Sequence, residues 1–168
     1  MRESFDQFVA ERLDRLLRYA TAMTCDRHLA QDIVQEVLLR AQRKWSRIGD
    51  MEASYLYVKK MVTNEYLSWR RRRAARDITA TRAALEAASP PVGDFAHDYV
   101  ERDAMRARIA ALPRRQRAAV VLRYYEDCTT AQIAHVLGCT EGTARSHLSH
   151  ALSTLRADTT ATASEALR

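Results

Sequence analysis

The sequence predicts an all-α fold: two small helical domains joined by a flexible linker, the C-terminal one containing a helix-turn-helix. Three observations carry this reading. Glycine and proline number only four and three among 168 residues, so little in the chain opposes helix. Apolar residues recur at three- and four-residue spacing over long stretches, the period of an amphipathic helix. Between residues 77 and 99 that periodicity fades, and Ser89-Pro90-Pro91-Val92-Gly93 forbids continuous helix. The expected organisation is therefore a first domain over 1–76, a linker over 77–99, a second domain over 100–157 and a tail over 158–168.

The first helix is expected from Ser4 to Met23, with Phe5, Val9, Leu13, Leu16, Ala20 and Met23 forming one apolar stripe. Asp26 is placed to cap a second helix by accepting from free backbone N–H groups. That helix runs to about Trp45, with Ala30, Ile33, Val34, Val37, Leu38 and Ala41 inward. Asp32, Gln35, Leu39 and Gln42 share its opposite, polar side. Ile48-Gly49-Asp50 breaks the pattern. A third helix starts near Ser54, buries Tyr55, Val58, Val62, Tyr66 and Trp69, and ends in an arginine run.

The second domain opens with a helix to about Leu112. Pro113 suits a first-turn position, where its missing N–H costs nothing. The next helix is expected to turn Ala118, Val121, Leu122 and Tyr125 inward. Thr129 and Gln132 have capping-box spacing. Ile133, Ala134, Val136 and Leu137 face the core, and Gly138 can take the left-handed conformation that ends a helix. Thr140 caps a last helix that turns Ala144, Leu148, Ala151, Leu152 and Leu155 inward.

Composition sets bounds. Hydrophobic residues make up 47% of the chain, enough for a core, yet none of the runs reaches the 18 apolar residues of a membrane span. The N-terminal residues lack an apolar signal region, so export is not expected. Cys25, Cys128 and Cys139 are odd in number and widely spaced, which argues for reduced thiols and a cytoplasmic location. The net charge of +6 is uneven. Residues 1–58 balance. Residues 59–76 carry seven basic side chains and one acidic. Residues 77–99 are net acidic, and 100–168 are mildly basic. This fits a polyanion touched at two places.

Two helices joined by a three-residue turn with glycine make a helix-turn-helix, whose second helix enters the major groove. Glu141, Thr143, Arg145, Ser146, His147, Ser149 and His150 point outward from that helix. Arg145 can pair with a guanine edge through two hydrogen bonds, or with a phosphate. The competing reading of the same residues is a helical hairpin that only packs. In "YLSWRRRR" (Tyr66–Arg73) the aromatics continue a buried stripe, and the arginines are the candidates for phosphate contact.

Taken in order, three stretches resemble the extracytoplasmic-function sigma factors of bacterial RNA polymerase, within the sigma-70 superfamily. "AQDIVQEVLLRAQRKW" is similar to their polymerase-docking helix. "SYLYVKKMVTNEYLSWRRRR" is similar to the helix that reads and melts the −10 element. "LPRRQRAAVVLRYYEDCTTAQIAHVLGCTEGTARSHLSHALSTLR" is similar to their −35-binding domain. The resemblance covers about residues 5–157. It implies a factor that binds core RNA polymerase, sets two DNA-reading domains on a promoter and helps open the duplex. It implies that Asp32, Gln35, Glu36 and Leu39 meet polymerase, and that Lys59, Lys60, Asn64 and Arg70, Arg71, Arg72 and Arg73 meet the −10 element. It further implies that the Ser46–Ser54 loop receives a flipped base, and that Thr143, Arg145, Ser146, His147, Ser149 and His150 read the −35 element. The expected partners are core RNA polymerase and promoter DNA (a double-stranded −35 element and a melted −10 strand), with no membrane. Many members of the family are also held silent by an anti-sigma factor, and the sequence leaves open whether this chain has one. His147 and His150 stand where this family more usually has Arg or Lys. The promoter elements lie roughly 50 Å apart at about 34 Å per helical turn, and a linker of this length spans at most about 75 Å.

Rival readings are weaker. A dimeric regulator has no need of a separate basic helix with a polar docking partner. A zinc triad of Cys139, His147 and His150 would require a turn cysteine and outward histidines to converge. The basic helix needs its apolar face for the core rather than for lipid. No nucleophile or general base accompanies these groups, so neither catalysis nor any cofactor or metal is expected. Arginine outnumbers lysine 24 to 3, which points to a GC-rich genome of actinobacterial type.

Overall fold

The computed structural model describes residues 3–76 and 98–165, and the side chains of 3–69 and 102–157. The described residues form eight helices: α1 (Phe5–Thr24), α2 (Arg27–Arg43), α3 (Trp45–Ile48), α4 (Ser54–Arg76), α5 (Asp98–Ala111), α6 (Arg114–Tyr124), α7 (Thr130–Leu137) and α8 (Glu141–Glu165). The expected linker falls mostly outside the described residues.

Local chemistry sets each boundary. Ser4 Oγ accepts from the Gln7 amide at the start of α1. Cys25 closes that helix in the left-handed region, at φ 55°. One residue later the Asp26 carboxylate accepts from the His28 and Leu29 amides and starts α2. These contacts satisfy helix-end donors that have no partner within the helix. Pro113 is the residue before α6 rather than its first residue, with φ −52° and ψ 142°. Its extended ψ turns the chain sharply out of α5.

The first region packs α1, α2 and α4 around Phe8, Leu16, Tyr19, Val37, Val58 and Val62, all fully buried. The buried face of α1 is centred on Phe8 and Tyr19. Phe5, Val9 and Leu13 are only half-buried and flank it. The Tyr19 hydroxyl meets Thr63 Oγ1 at 2.7 Å, so that buried hydroxyl is satisfied. Trp45 packs against Phe8 and Phe5 with ring centroids 4.8 and 5.3 Å apart. It donates to the Glu3 carbonyl at 2.8 Å, which ties the N-terminal residues to α3.

The second region packs α6, α7 and α8 around Leu122, Ile133, Val136 and Ala144. Tyr125, expected inward, is half exposed at the C-cap of α6. Between these two regions the core is continuous. Ala118, Leu122, Ile133 and Ala134 belong to the same apolar cluster as Leu16, Tyr19, Val58 and Val62. α7 lies against α4, and α6 lies against α1.

Candidate polymerase and nucleic-acid interfaces

The turn between α7 and α8 is built by three caps. Thr129 Oγ1 accepts from the Gln132 amide at 3.2 Å, and the Gln132 side chain accepts from the Thr129 amide at 2.8 Å. Gly138 ends α7 at φ 63°. Thr140 Oγ1 accepts from the Thr143 amide at 3.2 Å and starts α8. Ala134 and Ala144 are both buried, so small side chains let the two helices approach closely. Arg115 of α6 donates to the Leu137 carbonyl at 3.2 Å and ties the first helix of this region to the turn.

On that scaffold α8 presents Thr143, Arg145, Ser146, Ser149 and His150 to solvent, on one side of its first three turns. His147 is half-buried. Partial burial and the nearby Arg115 and His150 charges push its pKa below the usual histidine range. A groove of about 550 Å³ of mixed character adjoins it, lined by Leu67, Pro113, Arg114, Arg115, Gln116 and His147. The sequence reading did not single out Arg115, whose exposed guanidinium extends the basic surface of α8.

The residues expected to meet the −10 element are not all on one accessible face. Asn64 is exposed and Lys60 is half-buried. Arg70, Arg71, Arg72 and Arg73 lie on α4, but their side chains are outside the described residues. Lys59 departs from the expectation. It is 4% exposed, and its Nζ lies 2.7 Å from Glu126 Oε2. The physical reason is that Lys59 sits beside Val58 on the part of α4 that the second region covers, so the α6–α7 turn brings a carboxylate onto it. Buried and paired in this way, Lys59 does not face solvent. The Ser46–Ser54 loop holds α3 and the turn after it. Met51 is exposed there, and Ser54 Oγ donates to Glu3 Oε2 at 3.3 Å.

Asp32, Gln35, Glu36 and Leu39 are all exposed on the outer side of α2. Leu39 is 51% exposed, high for a leucine. Beside it runs an open groove of about 360 Å³ between α1 and α2, lined by Phe5, Val9, Leu13, Leu17, Val34, Leu38 and Leu39, with Gln31, Gln35 and Gln42 at its margin. An apolar furrow with a polar rim is the anatomy of a protein-docking surface. The half-buried side of α1 thus has a place: it is one wall of this groove.

The chain matches two family models. Residues 8–76 match sigma-70 region 2, and residues 102–155 match sigma-70 region 4. The RNA polymerase sigma-E factor of Streptomyces coelicolor is 30% identical over 152 residues, covering 90% of this chain and 84% of that protein. The ECF RNA polymerase sigma factor SigL of Mycobacterium tuberculosis is 31% identical over 157 residues, covering 93% and 86%. The chain belongs to the extracytoplasmic-function sigma factors. Its function is that of the family, promoter-specific initiation of transcription.

Solved structures share the fold. The sigma factor RpoE in complex with the anti-sigma factor NepR from Bartonella quintana superposes with a TM-score of 0.70 at 23% identity, covering 90% of this chain and 94% of that one. CnrH in complex with the cytosolic domain of CnrY superposes at 0.64 and 19% identity, covering 94% and 88%. Among the described residues of this sigma factor, no helix is long and apolar enough to cross a membrane. Nor does any group of three or more His, Cys, Asp or Glu side chains gather as a metal site there. Cys25 is exposed and Cys139 is half-buried. Cys128 is buried, and burial pushes its thiol pKa up, away from reactivity.

Proposed function

We propose that this sigma factor docks on core RNA polymerase through the outer face of α2 and reads a double-stranded −35 element with α8. Its α4 helix engages a melted −10 strand. The observation that carries this reading is the exposed row Thr143, Arg145, Ser146, Ser149 and His150 on a rigidly capped helix-turn-helix. Side chains on the first turns of such a helix are the ones that reach base edges. Arg145 is the specificity residue, and one bidentate pair with guanine supplies about 1–3 kcal/mol of discrimination. Ser146, Ser149 and His150 hold the register through phosphates. His150, when neutral, attracts phosphate less than guanidinium would, so Arg115 supplies part of the charge.

Leu39, with Gln35 and the acidic pair Asp32 and Glu36, forms the polymerase contact. Its support is the groove beside it, which is apolar inside and polar at the rim. Asn64 and Lys60, with the arginines of α4, contact the −10 strand, and the Ser46–Ser54 loop receives a flipped base. The factor acts in the cytoplasm as a non-catalytic subunit, leaving the chemistry of RNA synthesis to polymerase. An anti-sigma factor is a further proposed partner. Its support is that the RpoE structure of like fold named above is a complex with the anti-sigma factor NepR.

Footprinting of the reconstituted holoenzyme tests the assignment. Arg145→Ala removes protection of the upstream element while protection around the start site persists. Unchanged protection of both elements would remove Arg145 from the −35 contact.

A further inference from the structure

We propose that Glu3, ahead of α1, is a positioning residue for the −10 element: it braces the Ser46–Ser54 loop at both ends, so that the loop stands preformed to receive a flipped base. This rests on the proposed assignment of that loop to the flipped base. The Glu3 backbone carbonyl accepts from Trp45 Nε1 at 2.8 Å, just before the loop begins. The Glu3 carboxylate accepts through Oε2 from Ser54 Oγ at 3.3 Å, where the loop ends and α4 starts. A single residue therefore holds two points that lie 42 and 51 positions away in sequence. Between them, a Cβ added at Gly49 would stand 2.7 Å from Trp45 Nε1 and 3.0 Å from the Glu3 carbonyl oxygen. The N-terminal segment thus lies too close to the loop backbone for a side chain at position 49. Trp45 carries the brace into the core through its ring contacts with Phe5 and Phe8.

The electrostatics suit this placement. The first turn of α4 contains no acidic residue of its own, and a carboxylate beside a helix N-terminus is favoured by the peptide dipoles. Glu3 supplies that charge from outside the helix. The loop between its fixed ends is open. Asp50, Met51, Glu52 and Ala53 are all exposed, while Ile48 is buried beneath them. Two backbone bonds shape the turn, from the Met51 amide to the Ile48 carbonyl at 3.0 Å and from the Ser54 amide to the Met51 carbonyl at 3.2 Å. Flipping a base out of its stack has an unstacking cost that contacts in the receiving site must offset. A loop that has to order itself at the same moment loses part of that gain. Glu3 removes the ordering step without touching the base.

The test uses holoenzyme reconstituted with the full-length chain and fork-junction promoter DNA carrying 2-aminopurine at successive −10 positions. Wild type brightens one position and discriminates among bases there. Glu3→Ala is expected to lower affinity for the fork about 3- to 10-fold and to lower base discrimination at that position alone, with melting temperature and −35 binding unchanged. Glu3→Gln keeps an acceptor for Ser54 and should recover to within about twofold of wild type. Ser54→Ala should show the loss of Glu3→Ala, and the double variant should lose no more than either single one. Wild-type affinity and discrimination in Glu3→Ala overturn the proposal. So do additive losses in the double variant, or a loss spread evenly over all −10 positions. A wild-type holoenzyme that brightens no position overturns the flipped-base assignment instead. Hydrogen exchange at the Met51 and Ser54 amides then decides the brace: faster exchange in Glu3→Ala supports it, and unchanged exchange overturns it.

Discussion

Replacing Leu39 by Asp isolates the polymerase groove from the rest of the factor. Leu39 is 51% exposed, so about 90 Å² of its surface remains to be covered by a partner. At about 25 cal/mol per Å², that burial contributes about 2 kcal/mol to docking. An aspartate at the same point loses this and adds the cost of drying a carboxylate beside an apolar furrow, about another 1–3 kcal/mol. Together these raise the dissociation constant for core RNA polymerase by about two to four orders of magnitude. The fold is not affected in proportion, because an exposed site away from caps and core shifts stability by only about 0.5 kcal/mol. The assay is competition with labelled wild-type factor for core enzyme, with a thermal melt alongside. Leu39→Ala is expected between the two. If Leu39→Asp competes as well as wild type while its melting temperature is unchanged, the groove between α1 and α2 is not the docking surface.

Other perturbations probe the remaining faces. Arg145→Ala is expected to cost about 1–3 kcal/mol at one −35 position and to relax specificity there, read by binding to a panel of single-base variants. His147 has a lowered pKa in the free protein, so it is neutral at neutral pH. A DNA phosphate favours its charged form, so binding takes up a proton: affinity should rise as pH falls through the bound-state pKa and level off below the lowered free-state pKa. His147→Gln should flatten that profile. Gly138→Ala meets no neighbour within 4 Å, so its cost is backbone strain alone at φ 63°. It should lower stability by about 1–2 kcal/mol in a denaturant titration without changing which DNA sequence is bound.

Helix caps and their order were legible in the sequence because each depends on a few neighbouring residues. Asp26, Thr129 with Gln132, Gly138 and Thr140 all do in the structure what their local chemistry requires. The exposed row on α8 was legible for the same reason, since helical period fixes which side chains point outward. What one helix cannot announce is which of its faces another helix will cover. Phe8 and Tyr19 head the buried face of α1, while Phe5, Val9 and Leu13 form a groove wall. Tyr125 looked inward by period, but the helix stops before it. Lys59 is expected at the −10 element because the family resemblance implies it there. Its burial depends on Glu126, 67 residues away in sequence, and no local pattern links them. Arg15 of α1 also reaches Glu126, at 3.1 Å across 111 residues of sequence, and its spacing on α1 looks like an ordinary solvated charge.

The central claim is that this chain selects promoters for RNA polymerase through two spaced elements. Run-off transcription on fragmented genomic DNA, with core RNA polymerase from a related bacterium, with and without the protein, tests it most directly. The account predicts new start sites that depend on the protein and share two elements with one fixed spacing, all lost with Leu39→Asp. DNA binding without any new start, under conditions where the same core enzyme responds to its own sigma factor, would contradict it.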